Sequence, residues 1–167
     1  MSARDDAYID FVQSRRDHLR RVAYALCGDW HRADDLVQIA LVKLYVAWPR
    51  VRRTGSEEAY ARRILVRVAI DEGRRPWRRE RPTADLPDHG TTTAAEDRPA
   101  LVAALRELPG QQRAAVVLRH WLGLSVAEAA ATMGVTEGTV KSHTSRGLAG
   151  LRDVLGPDLT DARHGGA

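Results

Sequence analysis

This sequence has one cysteine, one phenylalanine and two methionines in 167 residues, and aromatic residues make up only 5% of it. A lone Cys27 can form no internal disulfide and leaves no cysteine cluster for zinc, so its expected role is that of a small buried apolar residue. The six histidines are scattered, and neither a metal nor a cofactor is expected. No apolar run approaches the length of a bilayer span. The start MSARDDAYID has neither the basic nor the apolar region of a signal peptide, which predicts a cytoplasmic protein with no stable membrane insertion. Strand and hairpin signals are missing as well. What remains is 44% hydrophobic residues, dominated by Ala, Leu and Val, with 29% charged. That composition describes a soluble all-α chain with room for one domain or two small ones.

The most informative segment runs from Leu124 to Leu151, LSVAEAAATMGVTEGTVKSHTSRGLAGL. Ser125 and Glu128 have the spacing of a capping box, and Ala127, Ala130 and Ala131 offer a slim packing side to the helix they open. Gly134 supplies a left-handed turn, and Val135 plugs the angle between two helices. Thr136 can cap a second helix whose Val140, Leu148 and Leu151 share one face. The opposite face holds Glu137, Gly138, Lys141, Ser142, Ser145 and Arg146, and is polar, short-chained and basic. A major groove accepts such a helix: side chains near its start meet base edges while lysine and arginine meet phosphates. An ordinary αα-hairpin in a helical core is the plainer explanation of a capping box and a glycine. The Thr cap and basic outer face that follow favour a helix-turn-helix that binds duplex DNA.

Charge is unevenly distributed. Residues 1–80 carry 17 Lys/Arg against 12 Asp/Glu, residues 81–100 carry 2 against 4, and residues 101–167 carry 7 against 6. The middle stretch RPTADLPDHGTTTAAEDRPA is acidic, rich in Pro, Thr, Gly and Asp, and without apolar periodicity. It reads as a flexible linker between two small helical domains, either a passive tether or a segment that occupies a basic channel on a partner.

Three helices are expected before that linker. The first runs from Tyr8 to about Leu26 and buries Ile9, Val12, Leu19, Val22, Ala23 and Leu26. The second is capped by Asp29, carries Ala33, Leu36, Val37, Ala40, Leu41 and Leu44 on its apolar side, and ends at Pro49. Asp34 and Asp35 sit near its start, where the helix dipole favours carboxylates. The third opens at Ser56, with Ala61, Ile64, Leu65 and Val68 on one side and Arg63, Arg67 and Arg74 on the other. From Arg62 to Arg79 seven arginines surround Trp77 against only Asp71 and Glu72. A charge run is often just a solvated face. Beside a helix-turn-helix, this density of arginine points to phosphate neutralisation, and an aromatic among arginines can stack on an unpaired base.

The order GDWHRADDLVQIALVKLY, then SEEAYARRILVRVAIDEGRRPWRR, then LPGQQRAAVVLRHWLGLSVAEAAATMGVTEGTVKSHTSRGLAGLR resembles the minimal two-domain sigma factors of bacterial RNA polymerase, the extracytoplasmic-function group of the sigma-70 family. The resemblance implies region 2 over residues 1–79, a linker over 80–100, region 4 over 101–155 and a flexible tail over 156–167. It also implies that the chain is a specificity subunit with no catalytic activity of its own. Its partners would be core RNA polymerase, through the β′ clamp and the β flap, promoter DNA, and in many such factors an anti-sigma protein.

Position by position, the resemblance places Asp35, Leu36, Val37 and Gln38 on the surface that docks the β′ clamp. It places Arg52, Arg53, Thr54 and Gly55 in a loop that receives a flipped base of the minus-ten element. Tyr60, Arg63, Arg67, Ile70, Asp71, Arg74 and Arg75, with Trp77 beyond them, fall on the helix that lines the opened strand. Thr136, Glu137, Gly138, Lys141, Ser142 and Arg146 fall in the part that enters the major groove at the minus-thirty-five element, and the linker runs through the RNA exit channel. Three positions depart from the family pattern, all expected on surfaces: Ile39 where a glutamate is usual, Arg67 in place of an asparagine, and His143 in place of a frequent arginine. Two other classes remain to be distinguished. A self-sufficient helix-turn-helix regulator has no need of the Arg62–Arg79 strip. A nucleic-acid enzyme would need metal-binding carboxylates or a nucleophile with a base, whereas Asp34, Asp35 and Asp71 are explained by helix ends and arginine pairing.

Overall fold

In the computed structural model, residues 2–73 and 98–156 are described, and within them every regular element is a helix. Helices α1 (Ala3–Cys27), α2 (Trp30–Thr54) and α3 (Glu57–Gly73) form the first group. Helices α4 (Pro99–Glu107), α5 (Gly110–Val116), α6 (Val126–Met133) and α7 (Glu137–Leu155) form the second, with one π-helical turn, Val117–Trp121, continuing α5.

Helix α1 begins five residues earlier than the apolar pattern suggests. Ser2 caps it: the hydroxyl accepts from Asp5 N at 3.2 Å and the Asp5 carboxylate accepts from Ser2 N at 3.3 Å, a second S-x-x-acid box that satisfies two orphan donors. Of the expected core positions on α1, Leu19, Val22, Ala23 and Leu26 are buried, while Ile9 and Val12 are only half-buried. Cys27 is buried, as expected, with its thiol donating to Asp29 O at 3.2 Å. Burial pushes that thiol up to about 11.

Pro49 does not end α2, which continues to Thr54. A proline in mid-helix leaves the carbonyl four residues earlier without its N–H partner, here that of Tyr45. Arg4 of α1 takes it, with Nη2 donating to Tyr45 O at 3.1 Å. Trp48 and Val51 on either side of the proline are buried, and Tyr8 and Phe11 of α1 pack on Trp48 with ring centroids 5.4 and 5.5 Å away. Apolar packing with a borrowed donor thus outweighs the missing backbone bond. At the other end of α2, Asp29 Oδ1 accepts from His31 N and Arg32 N, and Asp34 is bound by Arg20 Nε at 2.6 Å.

Helix α4 starts at Pro99, inside the stretch that reads as linker, with its proline in the first turn where no N–H is needed. Helix α7 crosses α5 and α4 closely because it presents glycines. Gly147 is buried, and a Cβ there would lie 2.6 Å from Val116 Cγ2 and 3.1 Å from Gln112 O. The two groups of helices do not stand apart. Helix α3 packs on α5 and α6, α1 packs on α4 and α5, and a single hydrophobic core runs from Leu19 and Leu65 in the first group to Leu118, Ala129 and Val140 in the second.

Candidate nucleic-acid interface

The helix-turn-helix is assembled by local hydrogen bonds. Ser125 Oγ accepts from Glu128 N and the Glu128 carboxylate accepts from Ser125 N, both at 3.1 Å. These bonds hold the Glu128 carboxyl below its ordinary pKa, the backbone donor contributing most. Gly134 then adopts φ 71°, ψ 37°, a left-handed conformation that costs glycine little, and the Ala130 carbonyl accepts from both Gly134 N and Val135 N. Thr136 Oγ1 accepts from Thr139 N at 3.2 Å to start α7. In α6 the packing side differs from the sequence expectation: Ala129, Ala130, Thr132 and Met133 are buried, whereas Ala127 and Ala131 face solvent. The periodicity of an alanine-rich run leaves its buried face ambiguous, and the adjoining helices decide it.

On α7, Val140, Gly147 and Leu151 are buried and Leu148 half-buried. Thr136, Glu137, Gly138, Lys141, Ser142, Ser145 and Arg146 are all exposed on the outer side. Among the described residues Lys141 and Arg146 make no ion pair, so their charge is available to an anion. His143 is half-buried, with Nδ1 enclosed, and so does not stand on the open surface as expected. A chain of residues that does nothing for the core yet sits on a firmly capped helix is built to touch something else.

A second basic surface surrounds Tyr60 on α3. Arg50 Nη2 donates to its hydroxyl at 2.9 Å, and the Arg63 guanidinium lies 4.8 Å from its ring centroid. An aromatic ring held between cations on a half-exposed helix face can stack on a base while the cations meet phosphate. Arg52, Arg53 and Thr54 form the last turn of α2 rather than a free loop, closed by Gly55. All three are exposed, but the Thr54 hydroxyl is engaged with Val51 O at 2.8 Å and with Ser56 Oγ at 2.6 Å. Arg67 is exposed on α3, with its guanidinium against Gly134. Ile70 is half-buried and Asp71 exposed. Arg74, Arg75 and Trp77 lie outside the described residues.

On α2 the motif Asp35–Gln38 splits in two. Asp35 and Gln38 face outward, but Leu36 and Val37 are only 3% and 4% exposed, so they hold the helix in place and cannot meet a partner. Ile39, expected on the surface, is half-buried against the core. The outward face continues instead with Val42, Tyr45 and Val46, which are exposed by 63%, 39% and 75%. The helical spacing could have revealed this stripe, since positions 35, 38, 42, 45 and 46 fall on one side. Next to it Tyr8, Val12 and Arg16 of α1 form one wall, and Gln38 and Leu41 the other, of a shallow cleft.

Comparison with known proteins bears on both surfaces. Residues 11–79 match the family described as Sigma-70 region 2, and residues 98–151 match Sigma-70, region 4. The chain is 39% identical over 157 residues to the RNA polymerase sigma-E factor of Streptomyces avermitilis, covering 92% of this chain and 88% of that protein. It is 36% identical over 148 residues to the ECF RNA polymerase sigma factor SigM of Mycobacterium tuberculosis, covering 85% and 74%. Among solved structures, the sigma factor RpoE of Bartonella quintana, in complex with the anti-sigma factor NepR, superposes with a TM-score of 0.69 at 28% identity over 89% of this chain and 98% of that one. The fold is also that of Mycobacterium tuberculosis SigJ, at a TM-score of 0.58 and 23% identity over 92% of this chain and 56% of SigJ.

Proposed function

Given that the chain belongs to the extracytoplasmic-function group of the sigma-70 family, a family of promoter-specific initiation factors, we propose how its surfaces divide the work. The outward face of α2, with Asp35 and Gln38 followed by Val42, Tyr45 and Val46, docks the core polymerase at its β′ clamp. The second domain also meets the β flap. The basic face around Tyr60, with Arg52, Arg53, Arg63 and Arg67 and the sequence-adjacent Arg74, Arg75 and Trp77, holds the minus-ten element and captures its melted strand. The start of α7, with Thr136, Glu137, Gly138, Lys141, Ser142 and Arg146, enters the major groove at the minus-thirty-five element. The polymerase carries the chemistry and this chain chooses where it begins. An anti-sigma protein is a natural partner of the same surfaces.

The observation that carries this reading is the pairing of a capped recognition helix having a wholly exposed polar and basic face with a second, separate arginine-and-tyrosine surface on α3. A self-sufficient regulator needs only the first. The test is selection from a randomised DNA library with the chain alone, core polymerase alone, or both. With both present, two sequence blocks at a fixed spacing should be enriched, and the chain alone should select nothing. Recovery of a tight, specific duplex site by the free chain at physiological salt would replace this reading with that of a conventional repressor or activator.

A further inference from the structure

Pro49 has no N–H, so the carbonyl of Tyr45, one turn earlier on α2, loses its helical donor. At about 100° per residue, Val42, Tyr45, Val46 and Pro49 fall within an arc of about 100°, and all four are exposed. The proline that frees this carbonyl therefore stands in the same apolar stripe as the tyrosine. An exposed tyrosine left to itself samples several rotamers. Here contacts from the start of α1 hold it in one.

Arg4 Nη2 donates to Tyr45 O at 3.1 Å, and the same guanidinium lies 4.9 Å from the centroid of the Tyr45 ring. The Tyr45 hydroxyl donates to Asp5 Oδ1 at 2.8 Å. The other oxygen of that carboxylate accepts from Ser2 Oγ at 2.8 Å and from Ser2 N at 3.3 Å, so the cap of α1 also fixes the acceptor that Tyr45 uses. These bonds hold the Asp5 carboxyl below its ordinary pKa, the Tyr45 hydroxyl contributing most. Tyr8 adds an edge-on contact, with ring centroids 5.0 Å apart. Anchoring α1 on α2 does not require this arrangement, because the Tyr8 hydroxyl donates to Leu41 O at 2.7 Å and Tyr8 and Phe11 pack on Trp48. Arg4 and Asp5 instead direct their side chains to one exposed residue. Both precede the segment that matches Sigma-70 region 2, which begins at residue 11.

We propose that Arg4 and Asp5 are positioning residues for the docking of core polymerase: they hold Tyr45, between Val42 and Val46, in the arrangement that the polymerase meets. This assignment rests on the docking face proposed above. Arg4 satisfies the carbonyl that Pro49 leaves open and lays a cation against the ring, while Asp5 fixes the direction of the hydroxyl. Neither side chain has to touch the polymerase. A side chain that is ordered before binding avoids the ordering cost that association otherwise includes, which for one such group is about two- to tenfold in affinity.

The test measures competition of full-length variants with labelled parent chain for core polymerase, with helical circular dichroism in parallel. Arg4→Ala and Asp5→Ala should each weaken binding by about two- to tenfold, with helical content unchanged, and Arg4→Lys, which keeps a cation and a donor, should recover part of the loss. Tyr45→Phe keeps the ring and its packing but gives up the bond to Asp5. It should weaken binding about as much as Asp5→Ala does, and the double variant should be no weaker than either single one, because both remove the same restraint. Tyr45→Phe carries the test by itself if Arg4→Ala lowers helical content. Losses that add in the double variant, or an Arg4→Ala chain that competes like the parent while Val46→Asp does not, overturn the positioning role and leave the docking face standing. A Val46→Asp chain that competes like the parent removes the docking face, and the positioning role with it.

Discussion

Two glycines on α7 should respond to alanine with opposite sign. Helix propensity alone says that each Gly→Ala change gains up to about 1 kcal/mol, because alanine loses less backbone entropy and shields the helix. At Gly138 nothing lies within 4 Å of the added methyl. That position is in the first turn, where propensity counts for less, so the expected gain is about 0.5 kcal/mol. At Gly147 the same methyl would sit 2.6 Å from Val116 Cγ2 and 3.1 Å from the backbone oxygen of Gln112. Val116 is buried and its helix cannot retreat without disturbing Ala114 and Ala115, both fully enclosed. Overpacking of this kind costs about 1–3 kcal/mol, which exceeds the propensity gain. Gly147→Ala should therefore lose about 1–2 kcal/mol, a fall in midpoint of roughly 2–8 °C for a chain of this size. Thermal and urea denaturation followed by circular dichroism would measure both variants. A Gly147→Ala chain as stable as the parent would mean that α7 can slide away from α5, and that the close crossing is not what fixes the recognition helix.

Replacing Asp35 or Gln38 by alanine should weaken binding to core polymerase by at least severalfold with helical content unchanged, and Val46→Asp should do the same; three variants that compete for core as well as the parent would remove the docking role from this face. Lys141→Ala should change preference at the upstream promoter block, where a base-edge contact is worth about 1–3 kcal/mol of discrimination. Arg146→Ala should weaken all sequences alike and reduce the slope of log affinity against log salt by about 0.9. Burial holds the Cys27 thiol at about 11 against an ordinary 9.0, so at pH 8 its thiolate fraction is roughly a hundredfold lower than that of a free thiol. Reaction with a disulfide reagent should be at least that much slower in the native chain than in urea, and should accelerate as pH rises towards 11. Rates within tenfold of each other would contradict the enclosure of Cys27.

Much of the architecture was legible because it is written in short-range chemistry. The Ser125–Glu128 box, the Gly134 turn, the Thr136 cap, the Asp29 cap and the outward set on α7 all depend on residues within four positions of one another, and the structure has them as the spacing indicates. Readings that depended on distant partners went differently. Pro49 reads as a helix end until Arg4, forty-one positions away from Tyr45, supplies the missing donor. Leu36 and Val37 sit inside a recognisable motif but point into the core, since a helix cannot turn four consecutive residues toward one partner. Ala127 and Ala131 looked like packing positions, yet only the neighbours of α6 decide which alanines are covered. Arg113 carries no sequence signal at all: every one of its acceptors is a backbone carbonyl, and any residue can provide one.

The same distinction bears on how the two groups of helices meet. The faces that would touch DNA are outward sides of helices whose inward sides fold the protein, so their polar residues are free to vary without loss of structure. The contact between the two groups has the opposite character, because Arg67 belongs at once to that contact, against Gly134, and to the proposed DNA-facing surface. The two groups share one hydrophobic core, and Arg113 adds a hydrogen bond across it from Nη1 to Leu26 O at 2.7 Å. Arg113→Ala, which leaves Leu26 O and the three carbonyls at the end of α4 without this donor, should therefore cost about 1–3 kcal/mol. Urea denaturation followed by circular dichroism would measure the loss. A variant as stable as the parent would mean that water satisfies those carbonyls and that Arg113 does not hold the end of α4 to the end of α1.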